Sequence, residues 1–129
     1  QAQAQERSGQ LVDEAITVGE AKVLMVEVQV SSMDALRDMA ERLRDQLDPS
    51  VILLGMENDG KAQFVCTVSK SLVQAGIKAG DLVKLAASVT GGGGGGRPDM
   101  AQAGGRDAAK LPEAIETART SAVEKLEAI

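Results

Sequence analysis

The sequence predicts an α/β fold of the α+β kind, a mixed sheet of about four strands with helices packed on it. Three observations carry this expectation. Hydrophobic periodicity switches along the chain between the two-residue step of a strand and the longer step of a helix. A tight-turn signal, Asn58-Asp59-Gly60, separates two strand-like runs. Six consecutive glycines, Gly91 to Gly96, stand between the last two helical stretches. The order read from end to end is β-α-β-β-α-loop-α.

Residues 1–9, QAQAQERSG, are polar and carry no apolar stripe. They read as a linker or the end of a helical lead-in, leaving 10–129 as one domain. Lys22 to Val30 reads as a strand, with Glu27 and Gln29 on one face and Val26, Val28 and Val30 on the other. Ser31 and Ser32 offer helix caps, and Asp34 follows Ser31 by three as a capping-box acid. Met33, Leu36, Met39, Ala40, Leu43 and Leu47 then recur at helical spacing, opposite Asp38, Glu41, Arg42 and Arg44, until Pro49 ends the helix. This predicts a helix over 33–47 whose apolar stripe is core.

Val51 to Met56 is a strand-sized apolar run, and Lys61 to Val68 returns from the turn as a second strand. Ala62, Phe64, Cys66 and Val68 alternate with Lys61, Gln63, Val65 and Thr67, which puts the thiol on the face of Phe64. Ser69 opens a short helical turn that Gly76 stops. A helix over 80–89 has Leu82, Leu85, Ala86 and Val89 on one face. After the glycines come Arg97-Pro98-Asp99, an extended piece Met100 to Ala103, and Gly104-Gly105-Arg106. The last helix, 112–127, starts near Pro112 and carries Leu111, Ile115, Ala118, Ala122, Leu126 and Ile129 as its stripe.

Composition narrows the function. The chain has 129 residues, one aromatic (Phe64), one cysteine (Cys66) and no histidine. Without histidine there is no Ser-His-Asp triad, no Cys-His pair and no His-containing zinc site. One thiol forms no internal disulfide, and nothing near it in sequence would activate it. No apolar run approaches a membrane span of about 20 residues. No catalytic residue, metal site or cofactor site is assigned, and a reducing cytoplasm is the expected compartment.

The net charge is −5, yet residues 60–110 hold 7 basic and 3 acidic side chains, a local excess of +4. A basic face binds polyanions even on an acidic chain. The glycine run lies within it. Six glycines lose more backbone freedom on ordering than any other residues would, so something must offset that cost or the segment stays mobile. Bare glycine exposes successive N–H groups to a phosphate, and Arg97 and Arg106 bracket the segment with guanidinium groups. The pattern alone leaves three readings open: a flexible linker, a nucleotide pocket and a surface that grips a nucleic-acid backbone. The first sits poorly with the specific string that follows it. The second lacks the Gly-Lys-Ser/Thr of a P-loop, and here the glycines follow a helical pattern.

The string Gly91 to Gly105, GGGGGGRPDMAQAGG, resembles the signature of the C-terminal domain of bacterial-type alanyl-tRNA synthetase. Leu53-Leu54-Gly55, Asp59-Gly60-Lys61, Val68-Ser69-Lys70 and Ala79-Gly80 agree with it, so the likeness covers about residues 10–129. The domain belongs to a wider group also attached to DHH-type phosphoesterases and oligoribonucleases, which carry a shorter glycine run followed by histidine. The resemblance implies a module that contacts the corner of alanine-specific tRNA and helps aminoacylation and editing share one bound molecule. It implies no activity of its own, since the catalytic and metal-dependent editing domains are absent. Its implied partners are tRNA, the rest of the synthetase chain and, in some members, a second copy. The implied nucleic-acid-binding residues are Gly91, Gly92, Gly93, Gly94, Gly95, Gly96, Arg97, Gly104, Gly105 and Arg106. The alternatives are a dimerisation module whose glycines serve packing, and a general nucleic-acid or DNA-binding module.

Overall fold

In the computed structural model, which describes residues 15–128, six strands form one mixed sheet with helices on both faces. The strands are β1 (Ile16–Val18), β2 (Ala21–Glu27), β3 (Ser50–Asn58), β4 (Lys61–Val68), β5 (Gly93–Gly96) and β6 (Met100–Gly105), and their order across the sheet is β1-β2-β3-β4-β6-β5. The helices are α1 (Met33–Gln46), the short α2 (Lys70–Gln74), α3 (Ala79–Val89) and α4 (Leu111–Glu127), with a 3-10 turn at Ala108–Lys110. Only β2 and β3 pair in parallel, joined by α1; the other four pairings are antiparallel.

Four of the strands were expected. The additional two are β1, three residues long, and β5, which turns the expected glycine loop into the sheet edge. Residues 1–9 and Ile129, the last member of the expected α4 stripe, lie outside the described residues.

The β3–β4 hairpin closes on Asp59 and Gly60, both with positive φ (59° and 78°), between the paired residues Asn58 and Lys61. That is the backbone twist a two-residue hairpin turn needs. β3 is buried on both faces, so its sequence is a continuous apolar run. Ile52 and Leu54 join Leu36, Met39 and Leu43 of α1 in one core layer. Val51 and Leu53 join Phe64 and Cys66 with Leu82, Val83 and Ala86 of α3 and Ile115 and Ala118 of α4 in the other. Phe64 and Cys66 share that layer, as the alternation of β4 requires.

Two local expectations are corrected. Ser32 caps α1 by accepting from Ala35 N at 3.1 Å, so the residue three beyond the cap is Ala35; Asp34 instead pairs with Arg37. Leu85, expected in the α3 stripe, is 37 % exposed, because α3 buries Ala79, Leu82, Val83, Ala86 and Ala87. The buried stripe runs through the neighbouring alanines and leaves Leu85 at its margin.

Candidate nucleic-acid interface

The glycine run divides into two parts with different jobs. α3 ends at Thr90; Gly91, with φ +77°, donates to Ser88 O at 3.2 Å, and Gly92 donates to Ala87 O at 2.8 Å. This nested pair of bonds is a Schellman cap, and its first residue past the cap must adopt left-handed backbone. Gly93 to Gly96 then pair with Gly104, Ala103, Gln102 and Ala101 of β6. The strand runs back along α3: Pro98 O accepts from Ala79 N, the first residue of α3, at 2.8 Å. Eleven helical residues and five extended ones, Gly92 to Gly96, both span about 16 Å, so helix and strand match end to end.

Packing explains why alternate positions of this strand carry no side chain. A Cβ on Gly92 would stand 1.9 Å from Gly104 O, one on Gly94 2.5 Å from Ala103 Cα, and one on Gly96 2.9 Å from Ala101 Cα. A Cβ on Gly105 would meet Thr90 Oγ1 at 1.8 Å. Thr90 is buried, donates from Oγ1 to Ala87 O at 3.0 Å, and through its own carbonyl accepts from Arg106 N and Asp107 N at 2.9 and 3.0 Å. It therefore ties the end of α3 to the end of β6. The other side of β5 is looser: a Cβ on Gly93 meets nothing within 4 Å, and one on Gly95 meets the Lys84 side chain at 3.4 Å. Gly91 to Gly94 and Gly96 are exposed, and an edge strand leaves part of its N–H and C=O groups unpaired.

The two arginines are not brought together. Arg97 pairs with Met100 across the turn, its N donating to Met100 O at 3.0 Å, and Arg106 stands at the far end of β6, its N donating to Thr90 O at 2.9 Å. Six strand residues separate the two levels, about 20 Å. Both side chains are exposed, and Arg97 Nε lies 3.5 Å from Asp99 Oδ1 in a solvated ion pair. At the Arg106 end, Lys61, Gln63, Gly91, Gly92, Gly104, Gly105 and Arg106 line a cleft of about 340 Å³. Lys61 and Gln63 escaped the sequence reading; the signal for them was their place on the less apolar face of β4, just after the Asp59-Gly60 turn. At the Arg97 end a larger cleft, about 650 Å³, mixes Arg44 and Lys70 with Asp45, Asp48 and Asp99.

Elsewhere the chemistry is sparse. Cys66 is fully buried, and that burial pushes its thiol pKa well above the usual range. Among the described residues no three His, Cys, Asp or Glu side chains cluster as a metal ion would need, and no helix is long and apolar enough to cross a membrane.

Comparison with known proteins gives the family. The chain is 48 % identical over 107 residues to an alanine–tRNA ligase of Oceanobacillus iheyensis, covering 83 % of the chain and 12 % of that relative. It is 52 % identical over 110 residues to one of Anaeromyxobacter dehalogenans, covering 85 % and 12 %. The chain thus spans about one-eighth of the length of these curated relatives. Its structure is similar to the crystal structure of the C-Ala domain from Aquifex aeolicus alanyl-tRNA synthetase, with a TM-score of 0.74 and 29 % identity, covering 88 % of this chain and 97 % of that one. The family model of the DHHA1 domain matches residues 20–124, nearly the whole described fold, and the chain belongs to that family.

Proposed function

We propose that this chain is the tRNA-binding module of an alanine–tRNA ligase, and that the outer side of the β5–β6 hairpin is its RNA-facing surface. The observation that carries the reading is a side-chain-free edge strand with an exposed arginine at each end, about 20 Å apart. The outward N–H groups of the edge strand, those of Gly94 and Gly96, can approach phosphates without a β-carbon between, and Arg97 and Arg106 supply charge at either end. Gly91, Gly92, Gly104 and Gly105 set the strand's position. The module acts by holding tRNA for catalytic and editing domains carried elsewhere in the synthetase, in the cytoplasm. By itself it neither activates alanine with ATP nor hydrolyses mischarged tRNA, since the described residues hold no general base with a positioned partner.

The test is a titration with folded tRNA, unfolded RNA and duplex DNA at two salt concentrations. With about three phosphates neutralised, binding on the order of micromolar is expected, with log affinity falling against log salt at a slope near −2 to −3. Salt-independent binding, or equal affinity for unfolded RNA, would overturn the reading. The close packing of Gly92, Gly94, Gly96 and Gly105 favours a second reading, an assembly module whose glycines serve packing alone. Concentration-dependent mass without RNA affinity would select it.

A further inference from the structure

Among the described residues, one buried side-chain polar atom has no hydrogen-bond partner. The Gln63 side chain lines the small cleft beside Lys61 and Arg106, and its Oε1 is screened from solvent with no hydrogen-bond partner. Such an acceptor penalises the folded state, and nothing in the packing of β4 requires an amide there. Gln63 faces Gly104 across the strand pair, and Lys61 and Arg106 flank the terminal Ala62–Gly105 pair. Lys61 and Gln63, two apart on β4, point to the same face, and Arg106 lines the same cleft, so the two cations and the amide stand together. The glycines around them put no side chain over the cleft.

We propose that this cleft takes one ribose–phosphate unit of RNA, with Lys61 and Arg106 on the phosphate and the Gln63 amide on the 2′-hydroxyl. The inference rests on the RNA-binding reading above and adds to it the residue that tells RNA from DNA. A free phosphate would satisfy the cations and leave the amide oxygen orphaned. A 2′-hydroxyl both donates and accepts, and lies beside a phosphate in every ribonucleotide. The terminal torsion of a glutamine is soft, so a partial rotation turns the oxygen toward the cleft, where the entering 2′-hydroxyl donates to it. The volume, about 340 Å³, is at the small end of ligand clefts and suits a sugar–phosphate better than a base pair.

The experiment uses the whole chain and two probes: a folded tRNA, and the same molecule with every 2′-hydroxyl replaced by fluorine, which keeps the sugar pucker but cannot donate. The wild-type chain should prefer the hydroxyl form by about five-fold, the scale of one neutral hydrogen bond. Gln63→Leu should bind both probes at the fluoro level, and Gln63→Met should do the same if the leucine variant folds poorly. Lys61→Ala should weaken both probes equally. A wild-type chain without preference, or a Gln63 variant that keeps it, overturns this inference and leaves the RNA-binding reading standing. Failure of the wild-type chain to bind either probe at low salt overturns both. Unchanged or raised thermal stability of Gln63→Leu would further support a functional reason for the amide.

Discussion

Gly94 and Ala103 face each other across β5 and β6 so closely that a Cβ on Gly94 would stand 2.5 Å from both Ala103 Cα and Ala103 Cβ. One residue earlier, a Cβ on Gly93 meets nothing. Neighbouring glycines of one strand therefore answer different constraints. Gly94→Ala should destabilise the fold by about 1–3 kcal/mol, the usual cost of overpacking a site with no room. Gly93→Val should cost little or nothing, because Gly93 is extended, lacks positive φ and has open space at its Cβ. If that outer side meets RNA, Gly93→Val should still weaken tRNA binding. Urea midpoints and tRNA titrations on both variants check this; equal loss of stability in the two would contradict the geometry.

Arg97 and Arg106 lie about 20 Å apart, beyond the range at which substitutions couple. Arg97→Ala and Arg106→Ala should each weaken tRNA binding by about 1–2 kcal/mol and flatten the salt slope by about one unit. The double variant should show the sum of the two losses. Unchanged affinity in both single variants would end the role of these arginines as RNA contacts.

Burial of Cys66 gives a pH dependence with a definite sign. The thiol pKa is raised in the folded state, so the folded form holds its proton more tightly than the unfolded form. The contribution to stability is whole below the unfolded thiol pKa of about 8.5, and is lost as pH rises from there toward the folded value. The loss should approach about 1.4 kcal/mol per pH unit in wild type. Cys66→Ala should be less stable at neutral pH but should lack this slope. Denaturant midpoints between neutral and alkaline pH, compared for the two proteins, give the difference. Identical pH profiles would refute it.

Much of the scaffold was legible in the sequence because local rules and tertiary context agree there. α1 has a helical stripe and a terminating proline, and the β3–β4 hairpin has a turn whose two residues accept positive φ. β5 was not legible: glycine has no side-chain pattern, and the order of this strand comes from β6 and α3 rather than from its own propensity. β1 is only three residues long and depends on β2 for its bonds. The cap at Gly91 could have been read, since glycine just past a helical stripe is a standard stop signal. At the candidate site, the exposure of Arg97 and Arg106 followed from the sequence, but their separation needed the strand register. Lys61 and Gln63 became visible as partners of Arg106 only once β6 was paired to β4.

The Schellman cap also fixes a count. Gly91 and Gly92 close α3, and the five extended glycines from Gly92 to Gly96 carry the chain the length of the helix to Arg97. A seventh glycine would have to bulge from the strand, or shift every later partner by one and turn Arg97 toward the opposite side. A tether would absorb the same insertion without notice. One inserted glycine should therefore lower the melting temperature while leaving composition almost untouched. The run behaves as a ruler, with its number of units set by the helix it measures.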